Sequence, residues 1–166
     1  MLKIALFAAL LVQDKDADRT QKIQEGLKRA DWLLGAWTGA AKGVPGEGTG
    51  TESWEAILDG CFYQSKEKWK VGDKVVHEAT SLMTYDPDRG RLIMHHIQKS
   101  GSYHFYVASP SDDAKSWVFN EPYKDKMRTR ITYTKTADGE YSGKFEMEDD
   151  KGTWSEFVTW SVKKSP

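Results

Sequence analysis

Apolar and polar positions follow two periods along this chain, and the change falls at Gly35. Between Asp16 and Leu34, the residues Ile23, Leu27, Ala30 and Leu34 recur at helical spacing, with Lys22, Glu25, Lys28 and Arg29 between them. Trp32 and Leu33 widen the apolar stripe, Gly35 is a natural stop, and Gly26 is a mild defect in mid-helix. A helix over residues 14–34 is therefore expected, leading into one β domain over 35–166. From Gly35 onward the period is two. It predicts strands at 36–42, 49–57, 61–70, 74–85, 91–98, 102–109, 115–120, 127–136, 140–148 and 153–163. Turn sequences separate them, among them Val44-Pro45-Gly46, Gly72-Asp73, Pro110-Ser111-Asp112-Asp113 and Lys151-Gly152. Short strands on short connections imply antiparallel meander order.

Ten strands with one apolar face and a single helix to cover it favour closure, because an open sheet would expose both edges and most of that face. The expected architecture is mainly β: an antiparallel up-and-down barrel of about ten strands with one N-terminal helix. A two-sheet sandwich has similar strand signals and is the alternative. Charge fixes one hairpin. With Ala137-Asp138-Gly139 as a three-residue loop and Gly139 left-handed, Arg130 faces Glu146, Arg128 faces Glu148, Ile131 faces Phe145, and Tyr133 covers the bare backbone of Gly143. Met127, Ile131, Tyr133, Tyr141, Phe145 and Met147 then share the other face, and the arginine–glutamate pairs form a solvated wall.

Composition narrows the function classes. Lysine and arginine total 24 against 25 acidic residues, a net charge of −1, so neither nucleic acid nor an anionic membrane surface is indicated as a partner. The lone Cys61 excludes an internal disulfide and reads as a structural thiol. Met1-Leu2-Lys3, the apolar run from Ile4 to Val12 and polar Gln13 match a short secretory signal over residues 1–13, too short to span a bilayer. That pattern predicts export to the periplasm or beyond. Without cleavage it is an apolar arm on a cytoplasmic protein. Oligomeric state is not indicated.

Leu33-Leu34-Gly35-Ala36-Trp37-Thr38-Gly39 resembles the G-x-W-x-G opening of the calycin superfamily. Trp54-Glu55, Ile57-Leu58-Asp59-Gly60-Cys61-Phe62, Tyr85-Asp86-Pro87 and Gly90-Arg91 follow in an order similar to a bacterial family of lipocalin-like domains of unassigned function. The resemblance spans about residues 30–163 and implies a barrel, with Trp37 closing one end, but no particular chemistry. Among calycins, the nitrobindin barrels hold haem through a histidine in the C-terminal part of the chain. No histidine follows His104 here, so haem is disfavoured and the cofactor is left unknown.

The candidate chemistry rests on four histidines and a set of aromatics. A two-residue Ser100-Gly101 loop would set His95 opposite Tyr106 and diagonal to His104, with His96 on the other face and His77 and Ser81 on the His95 side. No H-x-H spacing occurs, so no metal site is assigned. Trp37, Trp54, Trp117, Trp154 and Trp160 fit one face of their strands. If the last strand turns its tryptophans inward, Glu156 follows them. Otherwise it is a rim residue, the preferred reading. The expected ligand-contacting set is Trp37, Trp54, His77, His95, His104, Tyr106 and Glu156, serving a small hydrophobic or amphipathic molecule held inside the barrel. The alternatives are a haem- or metal-binding barrel enzyme using the histidines, and a filled barrel acting as a structural or interaction domain. No nucleophile–base pair or phosphate-cradling loop supports catalysis.

Overall fold

The computed structural model describes residues 16–108, 115–123 and 128–166. The expected leader over residues 1–13, the turn at 110–113 and Met127 lie outside these. A helix over residues 16–27, α1, runs into a 3₁₀ turn at Lys28–Leu33. Ten strands follow: β1 (Gly35–Gly43), β2 (Gly48–Ile57), β3 (Phe62–Val71), β4 (Lys74–Asp86), β5 (Arg91–Gln98), β6 (Tyr103–Ala108), β7 (Ser116–Asn120), β8 (Thr129–Ala137), β9 (Glu140–Glu148) and β10 (Trp154–Lys164). Each pairs antiparallel with its sequence neighbour, and β1 pairs with β10 from Trp37–Lys164 to Gly43–Val158. The sheet is thus a closed barrel and not a sandwich, and closure leaves no free edge.

The first apolar stripe plugs one end. Leu27, Ala30 and Leu33 have no solvent exposure, and the Trp37 indole donates to the Leu33 carbonyl at 2.7 Å. Gln24 Nε2 donates to the Asp59 carbonyl at 2.5 Å, and the Tyr63 hydroxyl donates to Asp31, which ties the plug to the β2–β3 turn and to β3. Gly26 is not a defect, because the Tyr85 ring lies where its Cβ would be. No helix of the described residues is long and apolar enough to cross a membrane.

Register decides which side chains reach the interior. The β8–β9 hairpin holds the expected pairs Arg130–Glu146, Ile131–Phe145 and Tyr133–Gly143, with Gly139 left-handed at φ 73°. The ring resting on Gly143 belongs to Trp160, from the opposite neighbour. The arginine–glutamate wall is only partly solvated, with the Arg128 and Arg130 side chains 36% and 27% exposed and their glutamates covered. Arg130 makes two bonds to Glu146, at 2.6 and 2.8 Å, under the Trp154 ring 4.3 Å away, and Glu146 and Glu148 are buried. A bulge between Glu156 and Val158 reverses the parity of β10. Trp154 therefore lies on the outer wall while Trp160 points in, against the expectation that the two share a face.

The β5–β6 hairpin differs from the expected register by one residue. Gly101, at φ 90°, ends a three-residue Lys99-Ser100-Gly101 loop, closed by Gln98 N–H to Ser102 O and Gly101 N–H to Gln98 O, both 2.9 Å. His96 consequently faces His104, and His95 faces Phe105. A slip of one residue exchanges the two faces of a strand. His95 therefore sits on the outer wall, its Nδ1 2.8 Å from the Tyr103 hydroxyl, and His96 takes the interior place expected of His95.

Candidate functional site

At the end away from α1 the barrel opens on a cavity of about 260 Å³. Trp69, Ile131, Tyr133, Phe145, Phe157 and Trp160 supply its apolar lining, and Glu67, His77 and His96 its polar one. The polar group comes from three neighbouring strands. Glu67 shares the inward parity of Tyr63, Ser65 and Trp69 on β3. His77 shares that of Ala79, Ser81 and Met83 on β4, and His96 that of Leu92 and Met94 on β5. Cross-strand pairing then places His77 opposite Trp69 and His96 opposite Ser81.

The three side chains converge. Their ligating atoms lie within 4.8 Å of one another. Glu67 Oε1 is 3.4 Å from His96 Nδ1 and 3.6 Å from His77 Nε2, and the two imidazoles stack with planes 7° apart. Glu67 and His96 side chains are only 9% and 7% exposed, against 30% for His77. His96 Nδ1 is also 2.9 Å from Ser81 Oγ, and the Ser81 N–H donates to Ser65 Oγ at 3.0 Å. Glu67 Oε1 is buried with no hydrogen-bond partner.

Burial sets the protonation states. It would raise the Glu67 carboxyl, but the adjacent His77, the attraction to His96 and His77 when these are protonated, and the Trp69 indole together outweigh it and hold Glu67 below the usual range. Burial lowers His96, with only partial opposition from Glu67, so that ring stays neutral. Glu52, opposite Glu67 on β2, has the reverse fate. Burial, and then the charge of Glu67, push it up to about 8. The Trp54 indole donates to Glu52 Oε1 at 2.6 Å, and the Tyr141 hydroxyl faces the same carboxyl without closing a well-formed bond. The interior thus offers an ionised carboxylate and neutral imidazole toward the mouth, with a protonated carboxyl beneath them.

A second polar chain runs beside this group. His104 Nδ1 is 2.9 Å from Glu121 Oε1, while Glu121 Oε2 accepts from the Thr129 N–H at 3.0 Å and its hydroxyl at 2.8 Å. The Tyr106 hydroxyl is 2.8 Å from Thr129 Oγ1. His104 and His96 ring centroids are 6.3 Å apart, so the two chains adjoin.

Of the residues expected to contact a ligand, His77 lines the cavity, and His104 and Tyr106 stand next to the group behind it. Trp37 and Trp54 are buried toward the plugged end and do not reach the cavity. His95 is on the outer wall, and Glu156 is exposed there opposite Glu146. Glu67, Glu52 and His96 were not anticipated. Their signal was parity: each alternates with inward residues, Glu67 with Trp69 and Glu52 with Trp54. Lysines on both sides of Glu67 mask it as a solvated position.

Haem does not fit this interior. The cavity lies below the roughly 300–1,000 Å³ of sites for drug-sized ligands. A tetrapyrrole would have to displace the aromatic lining.

No family model and no curated protein matches the chain. Solved structures share its fold. Rv2717c from M. tuberculosis superposes with a TM-score of 0.67 at 16% identity, covering 85% of this chain and 98% of that one. The S-type phycobiliprotein lyase CPES from Guillardia theta superposes with a TM-score of 0.56 at 7% identity, covering 82% and 90%. The chain thus shares the fold of both, a closed antiparallel barrel that here has ten strands.

Proposed function

We propose that this barrel binds a small, mostly apolar molecule through its open end, with a hydrogen-bond donor on that molecule meeting Glu67. The observation that carries this reading is an aromatic-lined cavity of about 260 Å³ whose polar side includes a buried carboxylate oxygen lacking a partner. Ligand sites are built this way: apolar walls supply affinity, and a few placed polar groups fix orientation. The cavity volume suits a one- or two-ring compound. An amine or hydroxyl suits the ionised Glu67, and an anionic head group does not.

Fluorescence titration tests this, since Trp69 and Trp160 line the space and report its occupation. 1-Aminonaphthalene should bind saturably, and naphthalene, which lacks the donor, about tenfold or more weakly. A hydrogen bond to a charged group contributes about 1.5–3 kcal/mol, and 1.4 kcal/mol is tenfold in affinity. Equal binding of the two compounds would remove the role of Glu67. No saturable binding of either would overturn the reading.

A further inference from the structure

We infer that Glu67, His77 and His96 form a three-ligand site for a divalent first-row transition metal, with its open coordination side toward the cavity. The inference goes beyond the binding of an organic molecule and does not depend on it.

The spacing carries the argument. A hydrogen-bonded carboxylate and imidazole approach to about 2.7–3.2 Å. Here Glu67 Oε1 stands 3.4 and 3.6 Å from the two ring nitrogens, too far for good hydrogen bonds. Two donors bound at about 2.0–2.2 Å to one tetrahedral zinc ion lie roughly 3.4 Å apart. The two glutamate–histidine separations therefore match two edges of a tetrahedron around an ion. The third edge, between the two histidines, closes by tilting the parallel rings toward each other. His77 has the freedom to do so, because it is the partly exposed member of the set.

Burial supplies an independent observation. Glu67 is more than nine-tenths buried, and its Oε1 aims into the cluster with no hydrogen-bond partner. An acceptor left in that state is destabilising, and a bound cation removes the cost. The ligand set is also chemically apt. Two imidazoles and one carboxylate hold catalytic zinc with a coordination position left open, and the same set serves non-haem iron. All three residues line the cavity, so an open position faces the space a small molecule would enter. Ser81 Oγ, which now bonds Nδ1 of His96, is released if that nitrogen takes the ion.

The test uses the full chain, stripped with EDTA and titrated with Zn²⁺ by calorimetry and with Co²⁺ by visible absorption. One ion per chain should bind at micromolar or lower concentration, with Co²⁺ giving the intense bands of a four- or five-coordinate site. His77→Ala and Glu67→Gln should each weaken binding by about 100-fold or more, while His95→Ala on the outer wall should bind as the parent does. If Glu67→Gln does not fold, the partly exposed His77 still provides the comparison. Absence of binding below millimolar Zn²⁺ would overturn the inference. So would unchanged affinity in His77→Ala. Titrating the EDTA-treated protein with 1-aminonaphthalene keeps failure of the metal site distinct from failure of the organic one.

Discussion

Glu52 and Glu67 face each other across β2 and β3, both turned inward, and the low dielectric does not let both ionise freely. The histidines hold Glu67 charged, so Glu52 keeps the proton. This has a sign in stability. A carboxyl raised from 4.5 to about 8 keeps in the folded chain a proton that the unfolded chain has already lost. Its contribution is complete below pH 4.5 and declines as pH rises toward 8. Glu52→Gln preserves the acceptor for the Trp54 indole and removes the titration. Thermal melts of the metal-free protein should show no gain for this variant at pH 4. At pH 8 the gain should be about 1 kcal/mol or more, about 2–4 °C or more for a domain of this size. Equal melting of variant and parent at both pH values would mean that Glu52 is ionised in the fold.

Among the elements, the least paired boundary in the described residues lies between β6 and β7, which share one position, Val107 with Asn120. The neighbouring β7–β8 pair shares five, from Ser116–Thr134 to Asn120–Arg130. Side chains supplement the thin ladder: His104 on β6 holds Glu121 just past β7, which holds Thr129 on β8, and Tyr106 closes back from β6. Glu121→Ala should therefore cost about 1–3 kcal/mol, leaving Thr129 without its acceptor. Hydrogen exchange should quicken first in β6 and β7, before β2 to β4, and a uniform change across the barrel would contradict this account. The element scale is also where sequence reading succeeded and failed most clearly. Strand positions were legible because turn residues punctuate a regular alternation. The β8–β9 register was legible because Arg130 and Glu146 carry opposite charges. The β5–β6 register was not, because both faces are apolar: Ile93 and Ile97 alternate with Leu92 and Met94, so hydrophobicity does not distinguish a two-residue from a three-residue loop. The candidate site inherited that ambiguity together with a one-residue difference at the β4–β5 turn, which sets Ser81 opposite His96 and puts His77 and Ser81 on the His96 side instead of the expected His95 side, so His95 and His96 changed places.

For the whole molecule, the plug is what gives the barrel one opening. Its seat depends on Gly26, where helix and Tyr85 touch without an intervening side chain. Alanine improves helix propensity by about 0.8–1.0 kcal/mol, yet at this position it must push the ring aside, and overpacking of that kind costs about 1–3 kcal/mol. Gly26→Ala should therefore destabilise by denaturant titration, and a stabilised variant would show that α1 is not seated on Tyr85. Closure itself was less legible than the strands, since the pairing of β1 with β10 joins residues more than a hundred positions apart, and it was argued indirectly, from the exposed edges of an open sheet, the single covering helix and the resemblance to known barrels.

The partnership of Trp37 with Lys164 brings the last strand out beside the plug, on the opposite side from Gly46 and Trp69 at the mouth. A linker joined beyond Lys164 therefore leaves on the blind side. The protein can be fused or immobilised there, on a sensor chip or behind a fluorescent reporter, with its doorway facing the bulk solution and diffusion into it unobstructed.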